Sequence, residues 1–173
     1  LIKLNRFVNS LLWFRHLDVR AFIGLETSLT MLDEFIITNN LLEDFADFLQ
    51  KVSGQTFCFV VHSLTDKQIL CRIDKREVPF RLVASTGTQS LQLLYFWLKR
   101  MNEASFVFID EFDAFYHFRL AFEVCKQLFA LDCQIFTSSH NTYLMTNELL
   151  RPDCNFILNN NKIKCLADCT DKE

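Results

Sequence analysis

Two short apolar runs, each ending abruptly in polar residues and separated by one helix's worth of chain, limit what this sequence can become more than any other feature. Phe106-Val107-Phe108-Ile109 runs into Asp110-Glu111, and Ile135-Phe136-Thr137 runs into Ser138-Ser139-His140. Between them, Arg119 to Phe129 carries Ala121, Val124, Cys125, Leu128 and Phe129 at the three-and-four spacing of an amphipathic helix. Strands without polar alternation are buried on both faces, and a strand–helix–strand order joins them in parallel. The expected fold is α/β, with strands over residues 105–110 and 133–138. A strong helix over Gln89–Met101 precedes them and another over Thr142–Leu150 follows. Cys154–Leu158 and Lys162–Leu166, on either side of Asn159-Asn160-Asn161, read as a terminal hairpin.

Before Ala84 the character differs. Leu1 to Arg20 reads as helix, with Lys3, Arg6, Arg15 and Arg20 on a solvated face. The spacing of Leu41, Leu42, Phe45, Phe48, Leu49 and Val52 predicts an amphipathic helix stopped by Gly54. Phe57–His62, Gln68–Ile73 and Val78–Val83 are expected to be extended, with a polar turn at Asp74–Glu77 and Pro79 confining the last piece to an edge. Two parts result: residues 1–83, helical and then a small antiparallel region, and residues 84–173, built on parallel strands.

Composition excludes several classes. A chain of 173 residues can bury one sizeable core, and 19 Phe with a mean hydropathy of +0.13 rule out disorder. A net charge of −3 argues against a domain that coats nucleic acid. No stretch approaches the roughly 18 uncharged apolar residues of a membrane span, and nothing resembles a secretory leader. Seven cysteines, an odd number without Cys-x-x-Cys, fit a reducing cytoplasm better than a disulfide framework. Cys154, Cys165 and Cys169 come nearest to a zinc set but lack a second close pair, and the thiols are expected to be small buried hydrophobes. Only Gly24, Gly54 and Gly87 are available to any glycine-dependent loop. The chain begins at Leu1 rather than Met and ends in Asp171-Lys172-Glu173, and it reads as a fragment.

Open parallel sheets bind ligands at the carboxyl edge of their strands. There Asp110 can hold Mg²⁺ through water and Glu111 can polarise a nucleophilic water, although the same run also reads as a core strand ending in a solvated acidic turn. His140 ends the neighbouring strand at the same edge, which predicts that it lies close to Glu111, where an imidazole can contact a γ-phosphate. Ser85-Thr86-Gly87-Thr88 offers hydroxyls and free amides at a helix N-terminus, either as an anion site or simply as an N-cap through Ser85 or Thr88.

The order of these elements resembles that of ABC-type ATPases. Ala84-Ser85-Thr86-Gly87-Thr88-Gln89 is similar to their signature motif, Phe106 to Glu111 to their Walker B strand, Asp113-Ala114-Phe115 to their D-loop, and Ser138-Ser139-His140-Asn141 to their switch-histidine region. The wording is closer to bacterial AAA-family ATPases allied to RecF-like, SMC-like and overcoming-lysogenization-defect proteins, and it spans Ala84 to about Leu166. Thr86 stands where the signature usually has glycine, and Phe112 where many relatives carry Pro or a small aliphatic residue.

The resemblance implies an incomplete P-loop NTPase core with ATP and Mg²⁺ as cofactors. Ser85, Gly87 and Thr88 would belong to the nucleotide-binding signature, with Ser85 and Gly87 touching the γ-phosphate of ATP held by a second subunit. Asp110 would support Mg²⁺, Glu111 would be the general base, His140 would sense the γ-phosphate, and Asp113 would communicate across a homodimer that sandwiches nucleotide. Nucleic acid is kept open as a target by analogy alone. No Gly-x-x-x-x-Gly-Lys-Ser/Thr occurs, nor an assignable Q-loop, so the expectation is that the isolated chain hydrolyses ATP negligibly. Two other readings stand beside it: a non-catalytic module lending its signature in trans, and an α/β domain with acidic strand ends and no nucleotide role.

Overall fold

A computed structural model describes residues 1–18, 22–24 and 32–169 of the chain. The first element is a helix, α1 (Ile2–Asn9), none of whose residues is buried. The helix expected to continue to Arg20 does not: Leu11–Phe14 forms strand β1 instead, and Val19 and Arg20 lie outside the described residues. The reason is tertiary. Leu11-Leu12-Trp13-Phe14 pairs in parallel with Phe106–Ile109, and this places Leu12 and Phe14 inside the core while Trp13 faces out. Strand β2 (Phe22–Gly24) closes that side antiparallel to β1.

Two helices follow, α2 (Leu32–Thr38) and α3 (Leu42–Ser53). The latter buries Phe45, Leu49 and Val52, as its spacing predicts, and stops at Gly54. Strands β3 (Phe59–Val60), β4 (Leu70–Ile73) and β5 (Arg76–Pro79) make a small antiparallel sheet in that order, so Pro79 ends an edge strand. The extended piece expected to reach Val83 stops at this proline, and Phe80–Val83 is a short helix, α4. Burial of Phe80 accounts for the change: its ring meets Phe45, Phe57 and Phe59 edge-on, at centroid distances of 5.8, 5.3 and 5.3 Å.

Helix α5 (Thr86–Leu98) opens at Ser85 and buries nearly every residue from Thr88 to Trp97. A helix apolar on all sides is an interior one. Strand β6 (Phe106–Ile109), helix α6 (Phe118–Phe129) and strand β7 (Gln134–Thr137) fall where the sequence pattern puts them. The main sheet therefore runs β2-β1-β6-β7, with β1, β6 and β7 parallel and β2 antiparallel at the edge. Leu12, Phe14, Val107 and Ile109 point into one core with α5 and α6, and that core also takes in Ile36, Phe45 and Phe80. Residues 1–83 and 84–173 thus share a core.

The helix expected over Thr142–Leu150 is not formed. Thr142–Leu144 is a single 3₁₀ turn, and the side chain of Asn141 accepts the Tyr143 N–H at 3.1 Å. Such a local bond offers the backbone an alternative to helix, and Tyr143, 81% exposed, supplies little burial to oppose it. Strands β8 (Phe156–Asn159) and β9 (Lys162–Cys165) form the terminal hairpin, turning at Asn160 and Asn161, both with positive φ. Cys154 and Cys169 are exposed and Cys165 half-buried, contrary to the expectation of buried thiols.

Candidate functional site

Parallel pairing of β6 with β7, in register Phe106↔Gln134 to Ile109↔Thr137, brings their carboxyl ends side by side. The ladder extends past the strands: the Ser138 N–H donates to the Ile109 carbonyl at 3.0 Å and the Asp110 N–H to the Phe14 carbonyl at 2.9 Å. Asp110 and Glu111 leave the edge of the sheet here. His140 leaves it from β7, and its Nε2 lies 3.6 Å from a Glu111 carboxylate oxygen. The expected neighbourhood of Glu111 and His140 is present, and both side chains are open to solvent, 55% and 94% exposed respectively.

Between β6 and α6 the chain is wound into tight turns. Glu111 has φ +46°, a left-handed conformation that costs a non-glycine residue about 1–3 kcal/mol. The Ala114 N–H reaches back to the Glu111 carbonyl at 3.0 Å and the Tyr116 N–H to the Asp113 carbonyl at 2.9 Å. Phe112, 1% exposed, is the hydrophobic pin of this loop. Its bulk fills the core there instead of diverting the chain. The Tyr116 hydroxyl pairs with Ser90 at 2.7 Å inside the protein, and burial pushes that phenol far above its ordinary range.

Around the acids, Ser138 donates its hydroxyl proton to Asp110 and accepts the Glu111 N–H at 2.7 Å. Ser139 donates to Asp113 at 2.7 Å. Three carboxylates and two serine hydroxyls, with the His140 imidazole beside Glu111, make an oxygen-rich environment, which is what a hard divalent cation takes. Among the described residues no three His, Cys, Asp or Glu side chains converge as a metal cage. The donor set suits Mg²⁺ held by Asp110 with water, a mode in which one or two carboxylates suffice because substrate phosphates and water complete the shell.

Ser85 and Thr86 are exposed at the start of α5. Ser85 accepts the Thr88 N–H at 3.2 Å, so it is the N-cap. Thr88 is 3% exposed, with its hydroxyl between Ser85 at 2.9 Å and the Gln55 side chain at 2.8 Å. It braces the loop from within rather than facing outward. The Gln89 amide donates to the carbonyls of Arg81 and Ala84, each at 3.1 Å. Gly87 is needed for close approach, since a Cβ there would meet the Phe115 carbonyl oxygen at 2.9 Å. The start of α5 therefore rests against the same 111–116 loop that carries Glu111 and Asp113.

Sequence reasoning missed Gln55 and Tyr116. Gln55 is 33 residues from Thr88 and Tyr116 is 26 from Ser90, and no local pattern signals either pairing. The roles of Ser138 and Ser139 as carboxylate donors are likewise visible only once the strands are side by side.

Residues 64–146 match the family described as "AAA domain, putative AbiEii toxin, Type IV TA system". That span runs from before β4 to just past the 3₁₀ turn, and it contains Ser85, Gly87, Thr88, Asp110, Glu111, Asp113 and His140. The match covers a little under half of the chain, and the mixed sheet of parallel strands is compatible with a P-loop NTPase-like fold. No curated protein and no solved structure matches the chain. No helix among the described residues is long and apolar enough to cross a membrane.

Proposed function

We propose that, within this AAA-type domain, the chain supplies the C-terminal lobe of an ABC-type ATPase that binds and hydrolyses ATP in a homodimer around sandwiched nucleotide. The observation that carries this reading is the meeting of Glu111 with His140 at 3.6 Å, beside Asp110, at the carboxyl edge of two adjacent parallel strands. Glu111 accepts the proton of the attacking water as general base. His140 orients that water and contacts the γ-phosphate, and Asp110 holds Mg²⁺ through water. Bound Mg²⁺ offsets charge on the phosphates. Ser85 and Gly87 face the nucleotide of the second subunit, with Thr88 and Gln55 fixing the loop behind them. Asp113 carries the state of one site to the other. The 173 residues contain no Gly-x-x-x-x-Gly-Lys-Ser/Thr, so in this reading the phosphate cradle comes from a segment outside them.

In a second reading the lobe lends its signature in trans and performs no chemistry of its own. One experiment separates the two. Mg²⁺-dependent ATP turnover is measured for the chain alone and for the assembly that pairs it with a chain bearing Gly-x-x-x-x-Gly-Lys-Ser/Thr. Turnover is expected only in the assembly, and Glu111→Gln is expected to lower it about 10²–10⁴-fold, the usual worth of a positioned base. Turnover unaffected by Glu111→Gln, but lost in Ser85→Ala, leaves only the module that acts in trans.

A further inference from the structure

The serine pair before His140 has a part to play that the reading above does not use. An amide N–H only donates and an ionised carboxylate only accepts, so the hydroxyl directions are fixed by their partners. Ser138 takes the Glu111 N–H at 2.7 Å and gives its proton to Asp110. Ser139 takes the Asn141 N–H at 2.9 Å and gives its proton to Asp113 at 2.7 Å. The Phe112 N–H adds a bond to the Ser138 carbonyl at 3.2 Å. Each serine thus ties the loop after β7 to one aspartate of the loop after β6. Of the three carboxylates, Asp110 and Asp113 are each engaged by a hydroxyl, and Glu111 alone is left turned toward His140.

We infer that Ser138 is a positioning residue for Asp110 and Glu111, and that Ser139 does the same for Asp113. The inference rests on Glu111 being the general base. Ser138 acts at two points: its hydroxyl orients the carboxylate of Asp110, and its oxygen holds the amide of Glu111 in the left-handed conformation that turns the glutamate side chain outward. Together the two serines fix Asp110 and Asp113 in place and leave the Glu111 carboxylate facing His140.

The test compares Ser138→Ala, Ser138→Thr and Glu111→Gln in the ATP-hydrolysing assembly, with amide hydrogen exchange of Glu111 measured on the full chain. Ser138→Ala is expected to lower kcat about 10–100-fold, as loss of an orienting outer partner does, with KM for ATP within about twofold. Ser138→Thr keeps the hydroxyl and is expected to restore most of kcat. The Glu111 amide is expected to exchange at least about tenfold faster in Ser138→Ala. Wild-type kcat in Ser138→Ala, with turnover abolished by Glu111→Gln, overturns the inference and leaves the general base standing. Turnover indifferent to Glu111→Gln removes both. If Ser138→Ala does not fold, Ser138→Cys, which keeps the volume but donates weakly, is read in its place with an intermediate loss of kcat expected and a wild-type kcat refuting.

Discussion

Replacing Gly87 with alanine pits two well-separated effects against each other, and the sign of the outcome tests the packing of α5 on the 111–116 loop. Alanine in a helix gains up to about 1 kcal/mol over glycine, less in the first turn, where Gly87 lies two residues past the N-cap. Against this, the new methyl would sit 2.9 Å from the Phe115 carbonyl oxygen, and ordinary contact begins at 3.4 Å. The loop or the helix must retreat by about 0.5 Å to accommodate it. The obstacle is backbone, flanked by the buried Phe112 and Tyr116, so no flexible side chain can swing away. Overpacking of this kind costs about 1–3 kcal/mol. The net expectation is destabilisation by about 1 kcal/mol, a drop in Tm of about 2–4 °C for a chain of this length, read by urea denaturation and thermal melting. Stabilisation by the full helix-propensity gain would show that the close approach is absent and refute the argument. In the ATP-hydrolysing assembly the same variant is expected to lower turnover by more than its unfolded fraction explains, because the displaced loop carries Glu111 and Asp113.

Three further expectations follow from the packing and the charges. Phe45→Ala empties the junction of Phe59, Phe80 and Tyr95 and is expected to cost about 3–5 kcal/mol in denaturant titration. Asp44 is held below the usual carboxylate range by its bond to Lys99 and, next, by that to the Tyr95 hydroxyl. Its folded value lies below its ordinary 3.8, so the stability it contributes is complete above that pH and is lost as pH falls through the folded value. Asp44→Asn should flatten the acid limb of a stability–pH curve slightly, and a curve steepened below pH 4 would contradict this; the effect is small because the pair is partly solvated. With a thiol-specific chromogenic reagent, Cys58, Cys154 and Cys169 should react promptly and half-buried Cys133 and Cys165 more slowly. Buried Cys125, pushed up to about 12, and Cys71, pushed up to about 11, should react only on unfolding, and rapid labelling of Cys71 or Cys125 in the native state would contradict the core.

What could be read from the sequence was whatever carried its own local signal. The β6–α6–β7 unit is bounded by polar residues and spaced for one helix, and the proximity of Glu111 to His140 follows from two strand ends at one edge. Strand β1 is also set between polar residues, Asn9-Ser10 and Arg15-His16, but it lacked a strand–helix–strand spacing to mark it. Four apolar residues after a real helix look like more helix until Val107 and Ile109 are there to pair with Leu12 and Phe14. The antiparallel β2 is three residues long and is defined only by that neighbour. The last helix failed in the opposite direction, because Leu144 and Leu149 reach the core from a 3₁₀ turn and the loop after it, without a continuous helix between them. Within the site, charges were legible and their hydroxyl partners were not, since Ser138 meets Asp110 across 28 residues and Thr88 meets Gln55 across 33.

The place of β1 in the sheet has a consequence in time. Ser10, at its head, meets Ser105 across 95 residues, whereas Asp110 and Ser138 at the ends of β6 and β7 are 28 apart. Closing the longer loop costs about 1 kcal/mol more in chain entropy, so β6 and β7 are expected to pair before β1 joins them. On a ribosome moving at about 5–20 residues per second, the interval between synthesis of β1 and synthesis of its partner β6 is about 5–20 s. For that interval Leu11-Leu12-Trp13-Phe14 has only β2 to pair with, and Leu12 and Phe14 wait for the strand that completes their side of the core.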